Sequence, residues 1–157
     1  MKTDSARCLV LACGNTLRSD DGVGPRLAEW AEDRFRLQPQ VRVVSSQQWT
    51  PDLAQEIASV DSVLFVDASV KSRPGRVSLI PVAPKSPNGS AASHHLDAPE
   101  LLGLTHKLYG STQSNAMLLT IGAGSTEPGE ELSGPVEAAL PRARGVLEKA
   151  VMRFLAC

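Results

Sequence analysis

Short apolar runs that alternate with helical patterns constrain the fold of this chain most. Several runs are only four to six residues long and rich in Leu, Val and Ile, which is typical of strands buried on both faces. We predict strands over residues 7–13, 41–44, 62–67, 76–82 and 115–121. Apolar residues at steps of three and four predict helices over 22–35, 99–109 and 133–155, and Thr50-Pro51 predicts the start of another helix.

The alternation of strands and helices predicts an α/β fold with a mostly parallel sheet. The connection between the third and fourth strands is an exception, because it covers only residues 70–75 and contains Pro74-Gly75. A parallel return needs about a dozen residues or more, so we predict an antiparallel hairpin for these two strands. The chain has 157 residues and no repeat or linker, which predicts one domain over residues 1–157.

Composition excludes several classes of protein. The net charge is −1, which disfavours nucleic-acid binding through a basic surface. No stretch approaches the roughly 20 apolar residues of a membrane span, and no signal peptide is recognisable, so we expect a cytoplasmic protein. The three cysteines form no CxxC pair, which excludes a zinc cluster or a disulfide framework.

The densest polar segment follows the first predicted strand and runs from Gly14 to Gly24. It contains neither a GxGxxG fingerprint nor the Gly-Lys-Ser/Thr of a phosphate-binding loop. Its adjacent acids, Asp20 and Asp21, suit either a metal-binding carboxylate or the capping of the helix that follows. The residue types alone leave these two interpretations open.

Asp67 ends the apolar third strand, and ligands of open α/β sheets bind at the carboxyl ends of the strands. A carboxylate at that position is partly desolvated and needs a partner or a cation. In a parallel arrangement Asp67 meets Asp20 and Asp21 at one edge of the sheet. Pairing of Asp67 with Lys71 or Arg73 is the alternative.

Histidine is the most plausible third ligand, and the adjacent pair His94-His95 lies in a long predicted loop over residues 83–96. A ligand role and a role as ordinary loop residues are equally supported for this pair. His106 lies within a predicted helix and is interpreted as a histidine that is either exposed or hydrogen-bonded within the protein.

Cys13 is interpreted as a small buried hydrophobic residue in preference to a reactive thiol. Two carboxylates and an imidazole suit zinc, nickel, manganese or iron.

Three segments together resemble the nickel–iron hydrogenase maturation endopeptidases. Residues 11–25 are similar to the family's glycine-asparagine and acid-acid-glycine signature, residues 65–68 to its aspartate-alanine after an apolar strand, and residues 93–102 to its histidine segment. The resemblance implies a three-layer α/β/α sandwich around a twisted, mostly parallel five-stranded sheet with one antiparallel strand. It also implies cleavage of a C-terminal extension from the hydrogenase large-subunit precursor.

The resemblance further implies which residues act. Asp21, Asp67 and His94 take the positions of the family's metal-binding and catalytic residues, and the metal is nickel that the precursor supplies. The supporting loop consists of Gly14, Asn15, Asp20 and Gly22. Whether an aspartate also acts as a general base stays open.

One segment departs from the family pattern. Residues 45–51 read Ser-Ser-Gln-Gln-Trp-Thr-Pro where many members have aspartate-x-glycine-threonine, so Gln48 and Trp49 are candidate substrate contacts. Ordinary packing of Trp49 is the alternative. Two other functions stay open at this point: a nickel-sensing module that binds the precursor without cutting it, and a small-molecule hydrolase. We expect a monomer.

Overall fold

The computed structural model describes residues 6–86 and 96–157. All five predicted strands are confirmed, with ends shifted by at most two residues: β1 Cys8–Cys13, β2 Val41–Ser46, β3 Ser62–Ser69, β4 Val77–Pro81 and β5 Asn115–Gly122. The helices are α1 Val23–Arg34, α2 Ala54–Ala58, α3 Ala98–Tyr109 and α4 Gly134–Ala156. Short 3-10 turns at Ser19–Gly22 and Pro51–Leu53 precede α1 and α2. No helix in these two ranges is long and apolar enough to cross a membrane.

The strands form one sheet in the order β2-β1-β3-β5-β4. The first four of these are parallel, and β4 pairs antiparallel with β5. The mostly parallel sheet with one antiparallel strand is therefore confirmed. The apolar runs of β1 and β3 lie in its centre, where helices cover both faces.

The predicted hairpin between the third and fourth strands is wrong, because β5 lies between β3 and β4. The fourth strand has the expected direction but a different neighbour. Strands in a sheet are about 4.8 Å apart, so the short connection over residues 70–76 easily spans the width of one strand. The end of β5 is held beneath this connection, where Gly75 N–H donates to Gly122 O at 2.8 Å and Gly122 N–H donates to Arg76 O at 2.8 Å.

Alternate side chains of the central strands fill two aliphatic cores, one on each face of the sheet. Val10 and Leu64 pack with α1 and α4, whereas Leu11 and Phe65 pack with α2 and α3, and all four are fully buried. Burial of each such side chain contributes about 1.5–3 kcal/mol to folding. The two cores confirm the α/β/α sandwich and fix the carboxyl ends of the parallel strands along one edge.

Candidate active site

Two of the predicted site segments begin at neighbouring positions on the sheet. Ala12 of β1 pairs with Val66 of β3, so Cys13 and Asp67 follow side by side at the carboxyl ends of their strands. The loop that contains Asp21 starts at this point. The parallel register thus brings the loop of Asp21 next to Asp67, although the two residues are 46 positions apart in the sequence.

The loop after β1 holds the carboxylate of Asp21 in place. Gly14 has φ of 150°, and a Cβ there would lie 1.9 Å from the carbonyl oxygen of Asp21, so a side chain at this position would force the loop open. Asn15 N–H donates to Asp21 Oδ2 at 2.7 Å, and Leu17 N–H donates to Asn15 Oδ1 at 2.9 Å. A charge-assisted hydrogen bond from the backbone orients the Asp21 side chain.

Gly24 allows α1 to start directly against the strand ends. A Cβ on Gly24 would lie 2.4 Å from the carbonyl oxygen of Cys13 and 3.3 Å from that of Val66. Any larger residue would push the first turn of α1 away from β1 and β3. The close approach keeps the Asp21 loop next to Asp67.

Asp20 points into the protein and has a different environment from Asp21. It is fully buried and accepts hydrogen bonds from Gly124 N–H at 2.7 Å, Ser125 N–H at 3.0 Å, Ser133 N–H at 2.7 Å and Ser133 Oγ at 2.7 Å. Burial alone would raise the pKa of Asp20, but these hydrogen bonds outweigh it and lower the pKa below its ordinary value. Asp20 therefore ties the β1–α1 loop to the segment between β5 and α4.

Asp67 is half-buried near the carboxyl end of the central strand β3, which continues to Ser69. Burial raises its pKa to about 6, and the negative charge of Asp21 acts in the same direction. A hydrogen bond from the Cys13 thiol and one from Ala68 N–H, at 2.8 Å, partly offset that rise. The two carboxylates are thus close enough to repel each other, which a cation between them would relieve.

Cys13 has the environment of a protonated thiol. Burial raises the pKa of Cys13 well above its ordinary value, and the charges of Asp67 and Asp21 add to the effect. A nucleophilic cysteine needs the opposite shift, toward a stable thiolate. This favours the interpretation of Cys13 as a packed residue that donates to Asp67.

A cleft of about 680 Å³ opens at this edge of the sheet. Its described lining comes from the ends of β1 and β3, the β2–α2 connection, the start of α3 and the middle of β5. Asp21 and Asp67 line the cleft, whereas Asp20 does not. Asp97 and Glu100 add two more acids and Arg18 one cation. None of these three is among the predicted site residues, although Arg18 lies in the polar segment after β1 and Asp97 and Glu100 lie in the motif segment over residues 93–102.

The β2–α2 connection forms one wall of the cleft with Gln47, Gln48 and Trp49. Trp49 is buried and its ring meets Phe65 edge-on, with centroids 5.2 Å apart. Its Nε1 is buried without a hydrogen-bond partner in the described part of the chain. Trp49 O accepts from Leu96 N–H at 3.1 Å, which joins this wall to the residues that precede α3.

The predicted histidine ligand, His94, and its neighbour His95 lie outside the described residues. Leu96 and Asp97, which follow them directly in the chain, both line the cleft. His106 lies on α3 away from the cleft, beside Lys85 and Gly103. Among residues 6–86 and 96–157, no three His, Cys, Asp or Glu side chains form a group that could hold a metal ion.

Comparison with known proteins decides the family. The profile of the HycI family, described as hydrogenase maturation protease, matches residues 25–150. This chain belongs to the hydrogenase maturation protease family. The resemblance predicted from the three motifs is confirmed, and the chain is an endopeptidase and therefore a hydrolase.

Individual proteins that are similar to this maturation protease support the same family assignment. The Hydrogenase 2 maturation protease of Escherichia coli (strain K12) is 27% identical over 136 residues, which cover 84% of this chain and 82% of the relative. The hydrogenase 2 maturation peptidase structure from Thaumarchaeota archaeon SCGC_AB-539-E09 has a TM-score of 0.67 and 27% identity, covering 92% of this chain and 97% of that one. The E. coli endopeptidase HybD shares the fold, with a TM-score of 0.69, 23% identity and coverage of 94% and 93%.

Proposed function

We propose that this maturation protease removes the C-terminal extension of a nickel–iron hydrogenase large-subunit precursor, and that Asp21, Asp67 and His94 recognise nickel already bound in that precursor. The observation that carries the proposal is the position of Asp21 and Asp67 on one cleft at the carboxyl edge of the sheet. Nickel is part of the substrate in this scheme and need not be held by the resting enzyme.

The two carboxylates suit recognition of a divalent cation. Asp21 is oriented by Asn15 N–H, and Asp67 is half-buried with its pKa raised by burial and by the charge of Asp21. A cation held between them would offset both the desolvation and the mutual repulsion. Carboxylate and imidazole donors together match the ligand types that nickel accepts.

His94 is proposed as the third ligand because of its place in the chain. Leu96 is buried, lines the cleft and is held by Trp49 O, and the capping box of Asp97 and Glu100 fixes the start of α3 beside it. The chain therefore passes along the cleft immediately after the histidine pair. His94 takes the position of the family's histidine, and His95 is the alternative that substitution distinguishes.

The remaining cleft residues are proposed to bind the peptide that is cut. The precursor's nickel would supply polarisation of the scissile carbonyl or of a water molecule. Gln48 offers an exposed amide along one wall, and the ring of Trp49 lies in the same wall beside it. A backbone carbonyl of the substrate is a suitable acceptor for the Gln48 amide.

The test is release of the C-terminal peptide when the protein is incubated with nickel-loaded large-subunit precursor from the same source. Asp21→Asn, Asp67→Asn and His94→Ala should each lower the rate about a hundredfold or more, because each removes a group at the reacting centre. Asp33→Asn changes the same charge at an exposed position of α1 and should leave the rate unchanged.

Two results would contradict the proposal. One is an absence of cleavage of a confirmed cognate precursor by the folded wild-type protein. The other is equal cleavage of nickel-loaded and nickel-free precursor, which would refute recognition of nickel while leaving the protease activity intact. Loss of activity in His95→Ala but not in His94→Ala would transfer the ligand role to His95.

A further inference from the structure

A second concave surface lies away from the candidate active site, between the strand β4 at one edge of the sheet and the long helix α4. We call it the β4–α4 groove. It has a volume of about 340 Å³ and is lined by Val77, Leu79, Arg142, Val146, Lys149, Ala150 and Arg153. None of the residues of the candidate active site lines it. The groove is therefore a separate feature, which the proposed function does not use.

The outer edge of β4 has backbone groups available for pairing. Arg76 O accepts from Gly122 N–H, and Val82 N–H donates to Ala116 O, so the even-numbered residues of this segment face β5. Val77 and Leu79 consequently direct their N–H and C=O groups to the opposite side. In the described part of the chain no other strand pairs with that side. Pro81 ends the strand without an N–H, which limits the free edge to a short segment.

The floor of the groove is apolar. Val77 and Leu79 project from β4 toward α4, where Val146 and Ala150 face them. Leu79 is 36% exposed, although it lies in a strand. A free strand edge beside apolar side chains is a surface that proteins usually cover or protect with charge.

Cations border the groove along α4. Arg142, Lys149 and Arg153 are all exposed and recur at helical spacing on the side that faces β4. A neighbouring depression shares Arg142 and Val77 and adds Arg73 and Arg76. None of these five cations belongs to an ion pair among the described residues.

This concentration of positive charge is local. The whole chain has a net charge of −1, and none of the residues that line either depression is acidic. Glu148 lies on α4 close to the groove, but its carboxylate is bound by Arg34, 2.9 Å away. The groove thus presents a positive potential that an acidic ligand would complement.

We propose that the β4–α4 groove binds an acidic, extended segment of a partner protein, which adds to the sheet as a strand beside β4. The free N–H and C=O groups of Val77 and Leu79 pair with its backbone, and alternate apolar side chains cover the floor. Its acidic side chains meet the cations of α4. A nucleic acid would satisfy these cations but neither the strand edge nor the apolar floor, so the peptide is the better match.

The experiment is an NMR titration of the ¹⁵N-labelled full chain with a blocked peptide of alternating glutamate and valine. We expect the largest shifts at the amides of Val77 and Leu79 and along α4. The same peptide with every backbone nitrogen methylated keeps its side chains and charge but can donate no backbone hydrogen bond from either edge, and it should bind at least about tenfold more weakly. A lysine–valine peptide should not bind.

A double charge reversal on α4 tests whether its cations attract the acidic peptide. Arg142→Glu/Arg153→Glu should weaken binding of the glutamate–valine peptide about tenfold, because two attractive contacts become repulsive. The control, Arg36→Glu/Lys107→Glu, makes the same change in net charge at exposed positions after α1 and on α3 and should bind as wild type does. The amide spectrum of each variant shows whether it is folded.

Three results of the titration would contradict the proposal that a peptide strand binds beside β4. Absence of binding by the glutamate–valine peptide would overturn the proposal, and so would equal binding of the N-methylated peptide, which would leave only side-chain contacts and no added strand. Equal or tighter binding of single-stranded oligothymidine, with shifts at the same amides, would identify a nucleic-acid surface instead. The peptide comparisons use the wild-type protein, so they decide the matter even if a variant fails to fold. None of these three outcomes depends on protease activity or on nickel.

Discussion

Asp20 and Ser133 are 113 residues apart in the chain and are joined by two hydrogen bonds of 2.7 Å each. Ser133 N–H donates to Oδ1 of Asp20, and Ser133 Oγ donates to Oδ2. Because Gly124 N–H and Ser125 N–H bind the same carboxylate, one buried side chain fixes the loop after β1 against the start of α4. The position of Asp21, the next residue, depends on this anchor.

Replacing Asp20 by Asn should lower the free energy of unfolding by about 3 kcal/mol, because an amide cannot accept from all four donors. Since the folded pKa of Asp20 is lowered, its contribution is present above the unfolded pKa and is lost as the pH falls through the folded value. Urea unfolding at neutral and acidic pH measures both effects. Ser133→Ala removes one donor and should cost about 1 kcal/mol; equal losses for the two variants would contradict the anchor role.

Asp67→Asn should stabilise the protein at alkaline pH while it abolishes cleavage. The folded pKa of Asp67 is raised to about 6, so ionisation lowers the stability of the folded state as the pH rises from the unfolded pKa, and the full cost is reached above about 6. We expect a gain of about 1–2 kcal/mol at pH near 8, which shrinks as the pH falls through about 6 and vanishes near the unfolded value of about 4. Thermal or urea unfolding across this range measures it. A variant less stable than wild type at pH near 8 would contradict the prediction.

Gly24 and Gly145 form a matched pair of helix glycines. Gly24→Ala should destabilise the protein by about 2–3 kcal/mol, because its Cβ would meet the carbonyl oxygen of Cys13. Gly145→Ala should stabilise it by up to about 1 kcal/mol, since nothing lies within 4 Å and alanine favours the helix. Denaturant midpoints with unchanged slopes compare the two. The same sign for both substitutions would refute the packing of α1 described above.

Trp49→Phe separates packing from substrate binding. Phenylalanine keeps an aromatic edge against Phe65 and removes the buried Nε1–H that has no partner among the described residues. The free energy of unfolding should therefore change by less than about 1 kcal/mol. Because Nε1–H is buried in the wall of the cleft, we expect KM and kcat to stay within about twofold of the wild-type values. A KM raised about tenfold at unchanged stability would instead identify Trp49 as a substrate contact.

The fold was predictable where local sequence decides it. The continuous apolar runs of β1 and β3 are typical of strands in a sheet covered on both faces, and the short connection after β3 excludes a parallel return. That connection fixes the direction of β4 but not its neighbour. The insertion of β5 between β3 and β4 depends on contacts of Gly122 with the backbone near Arg73 and Arg76, which no local pattern shows.

The candidate site was predictable only in part. Asp67 was found because it ends an apolar run, and Asp21 because it lies in the polar segment after the first strand, where the family resemblance prefers it to Asp20. The parallel register puts both on one cleft. The partners of Asp20 were not predicted, since Ser125 and Ser133 lie in a polar segment without a motif. Arg18, Asp97 and Glu100 lie in two of the segments that carry the family motifs, but only the folded structure shows that they line the cleft.

The place of β5 also sets an order of events during synthesis of the chain. When β4 leaves the ribosome, β5 has not yet been synthesised. The edge of β3 that will pair with β5 therefore has no strand beside it. The gap closes only after residues 115–122 emerge, so a nascent chain shorter than this exposes two unpaired edges to other chains. Such late, non-local pairing slows folding and favours aggregation. We therefore expect chaperone dependence to end at the length that releases β5 from the ribosome.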